Sequence, residues 1–524
     1  MPLHNTRLDR LINSNHEHLI ASGLKGVEKE CLRITADGKI SQSPHPRVLG
    51  SALTHPYITT DYSEALLEFI TPPFDDTRET LSFLRDIHQF VYDNLADELL
   101  LASSMPCAIS GDASIPIATY GRSNIGLMKH IYRRGLDYRY GRSMQAIAGV
   151  HFNYSVPDFF WPVFQDLEKS KAARQDFIAD AYFAMIRNLQ RWGWIILYLF
   201  GASPAICKSF LSDRKAFDHE FDEFDPHTFF KPYATSLRMS DIGYKNDNQS
   251  QLNISYNSLQ DYIESLTRAI ETPFPDYRKI GVRVNGEYRQ LNDSILQIEN
   301  EYYSSARPKQ ITYSGEKPTL ALKRRGVRYV EVRSLDIELS SDIGVSEERL
   351  FFMEALLLTC LLLESPRLDE TISATNNQNF LAVASAGRNP ALTLIRENRS
   401  VKLRDWALEI CESVRGICGI LDAKEEDQRY TKALENQICA VHDPEFTPSA
   451  RILDEMRDHR ESFADYALGI SQRYCQVFKS QTLASKKTLQ FEKISRESLD
   501  EQNKIEREQT EPFDVFLDRY FSQK

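Results

Sequence analysis

Two glutamates sit at alternate positions of a run that otherwise reads as a buried strand, Gly26-Val27-Glu28-Lys29-Glu30-Cys31-Leu32-Arg33-Ile34. Successive side chains of a strand point to opposite faces, so Glu28 and Glu30 share one face. Two like charges one pleat apart repel unless a cation or solvent lies between them. The pattern recurs. Glu68 stands among Leu66, Leu67, Phe69 and Ile70, with Asp61 shortly upstream in Thr59-Thr60-Asp61-Tyr62. Tyr329-Val330-Glu331-Val332-Arg333-Ser334 aligns Glu331 with Arg333. In Gly149-Val150-His151-Phe152-Asn153-Tyr154, His151 and Asn153 share one face while Val150 and Phe152 point to the other. Any one of these acids fits a solvent-facing position on an antiparallel sheet, and His151 alone fits a satisfied structural histidine as well as a ligand. Taken together, acids on several strands suit an oxygen-rich cage for Mg²⁺ or Mn²⁺, the hard cations that accompany nucleotide phosphates.

A second group is cationic. Tyr132-Arg133-Arg134, Ser236-Leu237-Arg238 and Arg333 are far apart in sequence and flanked by aromatic or small residues. Arginine presents a planar fork that matches phosphate and carboxylate. The chain of 524 residues carries 63 basic and 74 acidic side chains, a net charge of −11. That balance disfavours a nucleic-acid partner, which calls for a net basic face, but an anionic small substrate needs only local cations. Arg134 reads as a surface ion pair, and Lys323-Arg324-Arg325 as a solvated turn. The chain has no P-loop, no dinucleotide fingerprint, no G-x-S-x-G elbow and no H-E-x-x-H helix. A glycosidase built on paired carboxylates leaves the arginines and tyrosines without a task. If ATP is handled, a sheet-borne metal site must do it.

Short strand-like runs and helices are mixed through the first two thirds, which predicts an α+β fold. Strands are expected at Gly26–Ile34, Ala65–Thr71, Ala148–Val156, Ser294–Glu301 and Tyr329–Ile337, and helices at Asp76–Leu99, Ser170–Leu199 and Ser258–Ile270. From Ser346 onward helix follows helix: one opening on Ser346-Glu347-Glu348, then Leu403–Leu421, Glu425–Val441, Ser449–Ser480 and Leu499–Glu508. The expected division is a catalytic core over 1–345 and a helical region over 346–524 packed on it, ending in a charged, solvated tail. The N-terminus lacks the apolar core of a signal peptide. The apolar stretches Trp192–Ala205 and Leu350–Leu363 are too short or interrupted to span a bilayer, so they read as core helices. Eight scattered cysteines without a C-x-x-C pair fit reduced thiols in a cytoplasmic protein with no membrane partner.

Several longer blocks resemble the proteobacterial type of glutamate–cysteine ligase. They are Gly26–Arg33, Leu49–His55, Ile58–Pro72, Ser104–Cys107, Leu199–Ala205, Pro232–Arg238, Leu296–Glu301 and Tyr329–Asp336, in order along the chain; the helical last third resembles the family mainly in length and in Ser449–Leu453. The resemblance implies a curved antiparallel sheet of the glutamine synthetase kind forming a funnel-shaped active site. It implies ATP-dependent joining of the L-glutamate γ-carboxylate to the L-cysteine amine through a γ-glutamyl phosphate, the first step of glutathione synthesis. Position by position, Glu28, Glu30, Asp61, Glu68, His151 and Glu331 correspond to the metal sphere for Mg²⁺ or Mn²⁺. By the same resemblance Arg133 and Arg333 would face the transferring phosphoryl group, and Arg238 would hold a substrate carboxylate. Tyr244 and Tyr303 would donate to the cysteine carboxylate. Tyr132, Leu136 and Gln145 would shape the thiol pocket, with Ile147 close to the glutamate. Tyr62 stands where the family leads one to expect Phe, so its hydroxyl needs a partner there. ATP and the two amino acids are the expected partners of a chain that works without an obligate protein partner, as a monomer.

Overall fold

The computed structural model describes residues 6–211, 220–243, 252–423 and 427–523. Its centre is a seven-stranded, fully antiparallel sheet. In chain order the strands are β1 (Leu24–Ile34), β2 (Ile58–Thr60), β3 (Leu66–Ile70), β4 (Leu99–Leu100), β5 (Val150–Ser155), β6 (Ala306–Lys309) and β7 (Tyr329–Leu335). Their spatial order is β6-β7-β5-β1-β3-β2, with β4 pairing the far end of β1. The long β1 lies at the middle of the sheet, so what its two faces carry decides what the sheet does.

Helices cover one face of this sheet and extend beyond it, and ten helices of the molecule are labelled here: α1 (Thr77–Asn94), α2 (Asn124–Tyr140), α3 (Arg174–Trp192), α4 (Glu347–Leu362), α5 (Glu370–Ala386), α6 (Leu403–Asp422), α7 (Arg429–His442), α8 (Phe463–Lys479), α9 (Ser485–Glu508) and α10 (Phe513–Phe521). Helix α1 starts where the Asp76 carboxylate accepts from the Arg78 and Glu79 amides at 2.6 and 3.4 Å, satisfying donors the first turn leaves open. It packs on β1, α3 packs on β6 and β7, and α4 packs on α1, α3, α6 and α7. From Arg349 to Leu362 every residue of α4 is buried, Glu354 included. One continuous apolar core joins the sheet to these helices.

Most expected elements are present, with several departures; the helix expected over Ser170–Leu199, for one, is two helices that meet at Gly193. Ser294–Glu301 is not a strand, because its polar side chains bind local backbone: Gln297 Oε1 accepts from Leu291 N at 3.0 Å and Glu301 Oε2 from Gln297 N at 2.7 Å. The run expected as one helix over Ser449–Ser480 breaks at Arg460, whose φ of 55° is left-handed. Lys323-Arg324-Arg325 is the last turn of a helix, Pro318–Arg325, where Arg325 pairs with Glu316 at 2.6 Å. A hairpin of Thr393–Arg396 with Arg399–Lys402 interrupts the helical third. Arg134 does form the expected surface pair, 3.3 Å from Glu287. The stretches tested for membrane insertion are core helices, and no helix among the described residues is long and apolar enough to cross a membrane.

Candidate active site

Register assembles the acidic residues. Glu30 on β1 lies directly across from Glu68 on β3, and Glu28 lies across from His151 on β5. Glu331 on β7 faces Asn153 on β5, and Arg307 on β6 faces Glu331. Opposed residues of an antiparallel pair share a face, so the free face of the sheet carries Glu28, Glu30, Glu68, His151 and Glu331 from four adjacent strands.

These groups are in contact. His151 Nδ1 is 3.0 Å from Glu28 Oε2, and its Nε2 is 3.7 Å from Glu30 Oε1. Asn153 Nδ2 donates to Glu28 Oε1 at 2.9 Å, and the Gly149 amide donates to Glu30 Oε2 at 2.6 Å. Glu331 is fully buried, 3.1 Å from Lys309 Nζ and 3.3 Å from Arg333 Nη1. Glu28, His151 and Glu331 each offer one ligand atom, all within 4.8 Å of one another.

The charge on this face is unevenly matched. Burial raises Glu331, but Lys309, Arg333 and His151 outweigh it and hold the carboxyl well below its usual range. Glu28 is also held low: burial and the Glu331 charge push up, while its hydrogen bond to His151 and the nearby cations pull down harder. Burial raises Glu30, and Asp61 adds to it. Glu68 is driven well above its usual range by burial and by the charges of Glu28, Asp61 and Glu30. Among the described residues, the Asp61 and Glu68 carboxylates take part in no ion pair, and neither accepts a side-chain hydrogen bond. A face with this much unneutralised oxygen fits a divalent cation, and carboxylate with imidazole is a donor set suited to Mg²⁺ or Mn²⁺.

Beside the acids lies a cavity of about 100 Å³. It brings together nine predicted residues: Glu30, Asp61, Tyr62, Tyr132, Arg133, Leu136, Gln145, Tyr303 and Arg333. Helix α2, not among the expected elements, supplies Tyr132, Arg133 and Leu136 on a single stripe, with Leu136 one turn beyond the other two. Arg133 is held by the Asp61 carbonyl at 2.5 Å and the Lys129 carbonyl at 3.0 Å, with its guanidinium 4.7 Å from the Tyr120 ring centre. Tyr62 is buried, its hydroxyl has no hydrogen-bond partner among the described residues, and burial raises its pKa. Tyr303 donates to Met239 Sδ at 3.2 Å.

Two residues predicted to contact substrate do not line this cavity. Arg238 is buried beside β7, donating to the Arg333 carbonyl at 3.0 Å and lying 3.5 Å from Asp336, near enough for its charge to act on Glu30 and Tyr303. It stacks so closely on Gly149 that a Cβ there would come within 1.9 Å of Nη2, which is why position 149 is glycine. Ile147 is fully buried in the apolar core and does not line the cavity. Tyr244 lies outside the described residues. Arg307 and Lys309, which flank Glu331, were missed. The alternation Arg307-Pro308-Lys309 was the available signal, since both basic residues must share one face of a strand.

A family model described as glutamate-cysteine ligase matches residues 8–383. The glutamate–cysteine ligase of Pseudomonas entomophila (strain L48) is 47% identical over 516 residues, covering 98% of this chain and 96% of that protein. The crystal structure of glutamate–cysteine ligase from Francisella tularensis in complex with AMP superposes with a TM-score of 0.90 at 36% identity, covering 96% of this chain and 98% of that one. A bifunctional glutathione synthetase from Pasteurella multocida shares the fold, with a TM-score of 0.74 at 24% identity over 94% of this chain and 58% of that one.

Proposed function

The chain belongs to the glutamate–cysteine ligase family, and on that premise we infer that it is an ATP-dependent ligase. It joins the γ-carboxylate of L-glutamate to the amine of L-cysteine, giving γ-glutamylcysteine, ADP and phosphate, the first step of glutathione synthesis. The observation that carries the reading is Arg333: it touches Glu331 of the three-residue ligand cluster and also lines the cavity that Arg133 enters.

A carboxylate is a poor electrophile, and phosphorylation gives it a leaving group; the amine nitrogen of cysteine then displaces phosphate from the γ-glutamyl phosphate. Charge gathers on the transferring phosphoryl oxygens, and preorganised cations stabilise it. Arg133 and Arg333 do so from two walls of one cavity. With Nε and Nη1 of Arg133 bound to carbonyls, its Nη2 is left for substrate. Glu28, His151 and Glu331, with Glu30, Asp61 and Glu68 beside them, would hold Mg²⁺ or Mn²⁺. A bound divalent ion would neutralise these acids and the nucleotide phosphates together. Tyr132, Leu136 and Gln145 enclose the thiol, and Tyr303 serves the cysteine carboxylate with Tyr244. Tyr62 brings a hydroxyl without a protein partner to the same pocket. Arg238 and Ile147 act from behind the cavity wall, Arg238 by holding the β7 backbone at Arg333.

The same reading makes the sheet a funnel of the glutamine synthetase kind, with a catalytic core over 1–345 and a helical companion over 346–524. It makes the protein a cytoplasmic monomer, and seven buried free thiols fit the reducing compartment. The test is ADP release with cysteine, 2-aminobutyrate and ammonia as acceptors. Release that requires glutamate, cysteine and Mg²⁺ together is expected; no ADP release with any of the three acceptors contradicts it.

A further inference from the structure

The charged C-terminus is not a solvated tail. Helix α9 crosses α1 by stacking Phe491 on Phe90, with ring centres 5.1 Å apart. It then runs along the Gly50–Thr54 loop, where Ser51 N donates to Ser498 Oγ at 2.9 Å and Thr54 Oγ1 to the Ser498 carbonyl at 2.5 Å. Beyond that it meets the start of α2. The Arg122 amide donates to Glu506 Oε1 at 2.8 Å, the Asn124 amide to Gln509 Oε1 at 2.5 Å, and Asn124 Nδ2 to the Glu511 carbonyl at 2.9 Å. Gln502 Nε2 steadies Glu506 from one helical turn away, at 3.1 Å. A Cβ at Gly121 would come within 2.2 Å of both Gln502 and Glu506 side chains, so the contact is close enough to need glycine there, at a φ of +79°.

Past this junction α10 lies on α2 itself. Phe516, Leu517 and Tyr520 are buried against Met128, Ile131 and Leu291 in a cluster separate from the main core. Met128 and Ile131 form one stripe of α2; Lys129, Tyr132, Arg133 and Leu136 form another, of which the last three line the cavity. The helix therefore presents one stripe to the cavity, another to α10, and its first turn to α9.

We propose that residues 485–523 are a positioning strap for the acceptor pocket. By fixing the first turn and the outer stripe of α2, they set where Tyr132 and Leu136 meet cysteine and where Arg133 meets the phosphoryl group. The proposal rests on the ligase reading above, and Glu506 and Gln509 are positioning residues, not catalytic ones. The test pairs Glu506→Ala/Gln509→Ala with Glu506→Gln in the full chain. The double substitution removes two acceptors at the α2 terminus, while glutamine keeps an acceptor oxygen. A displacement of ~1 Å at a reacting group can cost up to about 100-fold in rate, so the double variant should raise the KM for cysteine about tenfold or more. ADP released per cysteine consumed should climb above one, because activated glutamate meets water when the acceptor is misplaced. The KM values for ATP and glutamate should stay within about twofold, and Glu506→Gln should match the parent, since one hydrogen bond of this kind is conserved by the exchange.

Rates that fall only in proportion to lost folded protein, with an unchanged cysteine KM, overturn the proposal. Hydrogen–deuterium exchange over residues 122–136 supplies a reading independent of chemistry. Faster exchange in the double variant is expected, and unchanged exchange overturns the strap. If the parent protein shows no cysteine-dependent ADP release, the ligase reading has failed, and the exchange measurement alone decides whether the strap holds α2.

Discussion

The two faces of β1 bury charge in opposite ways. At odd-numbered positions Lys25, Lys29 and Arg33 are all buried, and each has a partner of its own. Lys25 Nζ lies 3.2 Å from both oxygens of Glu354, which also accepts from the Tyr430 hydroxyl at 2.7 Å. Lys29 Nζ donates to His88 Nε2 at 3.1 Å. Burial, with the charges of Lys29 and Arg85, holds His88 well below its ordinary value and leaves the ring neutral to accept. Arg33 pairs with Glu98 at 2.6 Å and donates to the Ser43 and Glu64 carbonyls. At even-numbered positions Glu28 and Glu30 share one histidine, and the nearby Glu68 and Asp61 have no ion pair among the described residues. Charges satisfied within the fold serve the fold; charges left short of a counter-ion are placed for something that binds.

Breaking the matched face should cost stability first. Glu354→Ala leaves the Lys25 ammonium buried without its carboxylate, a change that typically costs about 3–5 kcal/mol. The unfolding midpoint should fall sharply while the KM values of the remaining folded enzyme stay put; an unshifted midpoint would mean that the pair is not doing structural duty. Breaking the unmatched face should do the reverse. Glu331→Gln keeps size and removes charge, and losing one electrostatic contact with a charged transition state costs on the order of 100-fold in turnover. The midpoint without metal should fall too, but less than in Glu354→Ala, because Lys309 and Arg333 lose a partner while the Glu331 charge that crowds Glu28 is relieved. Unchanged turnover would remove Glu331 from the site.

A smaller effect comes from Lys129, at the border of the unmatched face, whose ammonium lies 5.1 Å from the Tyr120 ring centre. Burial, then the Arg133 charge, lowers it from 10.5 to about 8. Between those values the unfolded chain binds more protons than the folded one, so stability rises with pH through this window and is lost as pH falls through about 8. Lys129→Met should flatten that rise relative to the parent. An identical pH profile in both proteins would place the amine in solvent.

How far the sequence reaches follows from what each feature depends on. The strands bearing Glu28, Glu68, His151 and Glu331 are legible because period-two alternation is local, and their bounds are met within a few residues. That Glu30 faces Glu68 and Glu28 faces His151 depends on inter-strand register, which no single strand encodes. Helix α2 escaped notice because its apolar positions are split between two stripes, so no one amphipathic face stands out. The C-terminal helices read as solvated because charge dominates them. Their anchoring rests on a few apolar side chains, Phe491 and the α10 trio, and on polar side chains that meet backbone amides distant in sequence. Tyr62 was placed by its neighbours in sequence, whereas its lack of a partner emerges only once the fold encloses it.

On the ligase reading, the even-numbered face of β1 is short of positive charge because a divalent ion would complete it. Titration with Mn²⁺, followed by electron paramagnetic resonance in the parent, Glu331→Gln and Glu354→Ala proteins, tests this most directly. Saturable binding is expected in the parent, weakened at least about tenfold by Glu331→Gln, the lower end of what loss of a supporting metal contact costs, and retained by folded Glu354→Ala. Equal binding in the parent and Glu331→Gln would contradict the account.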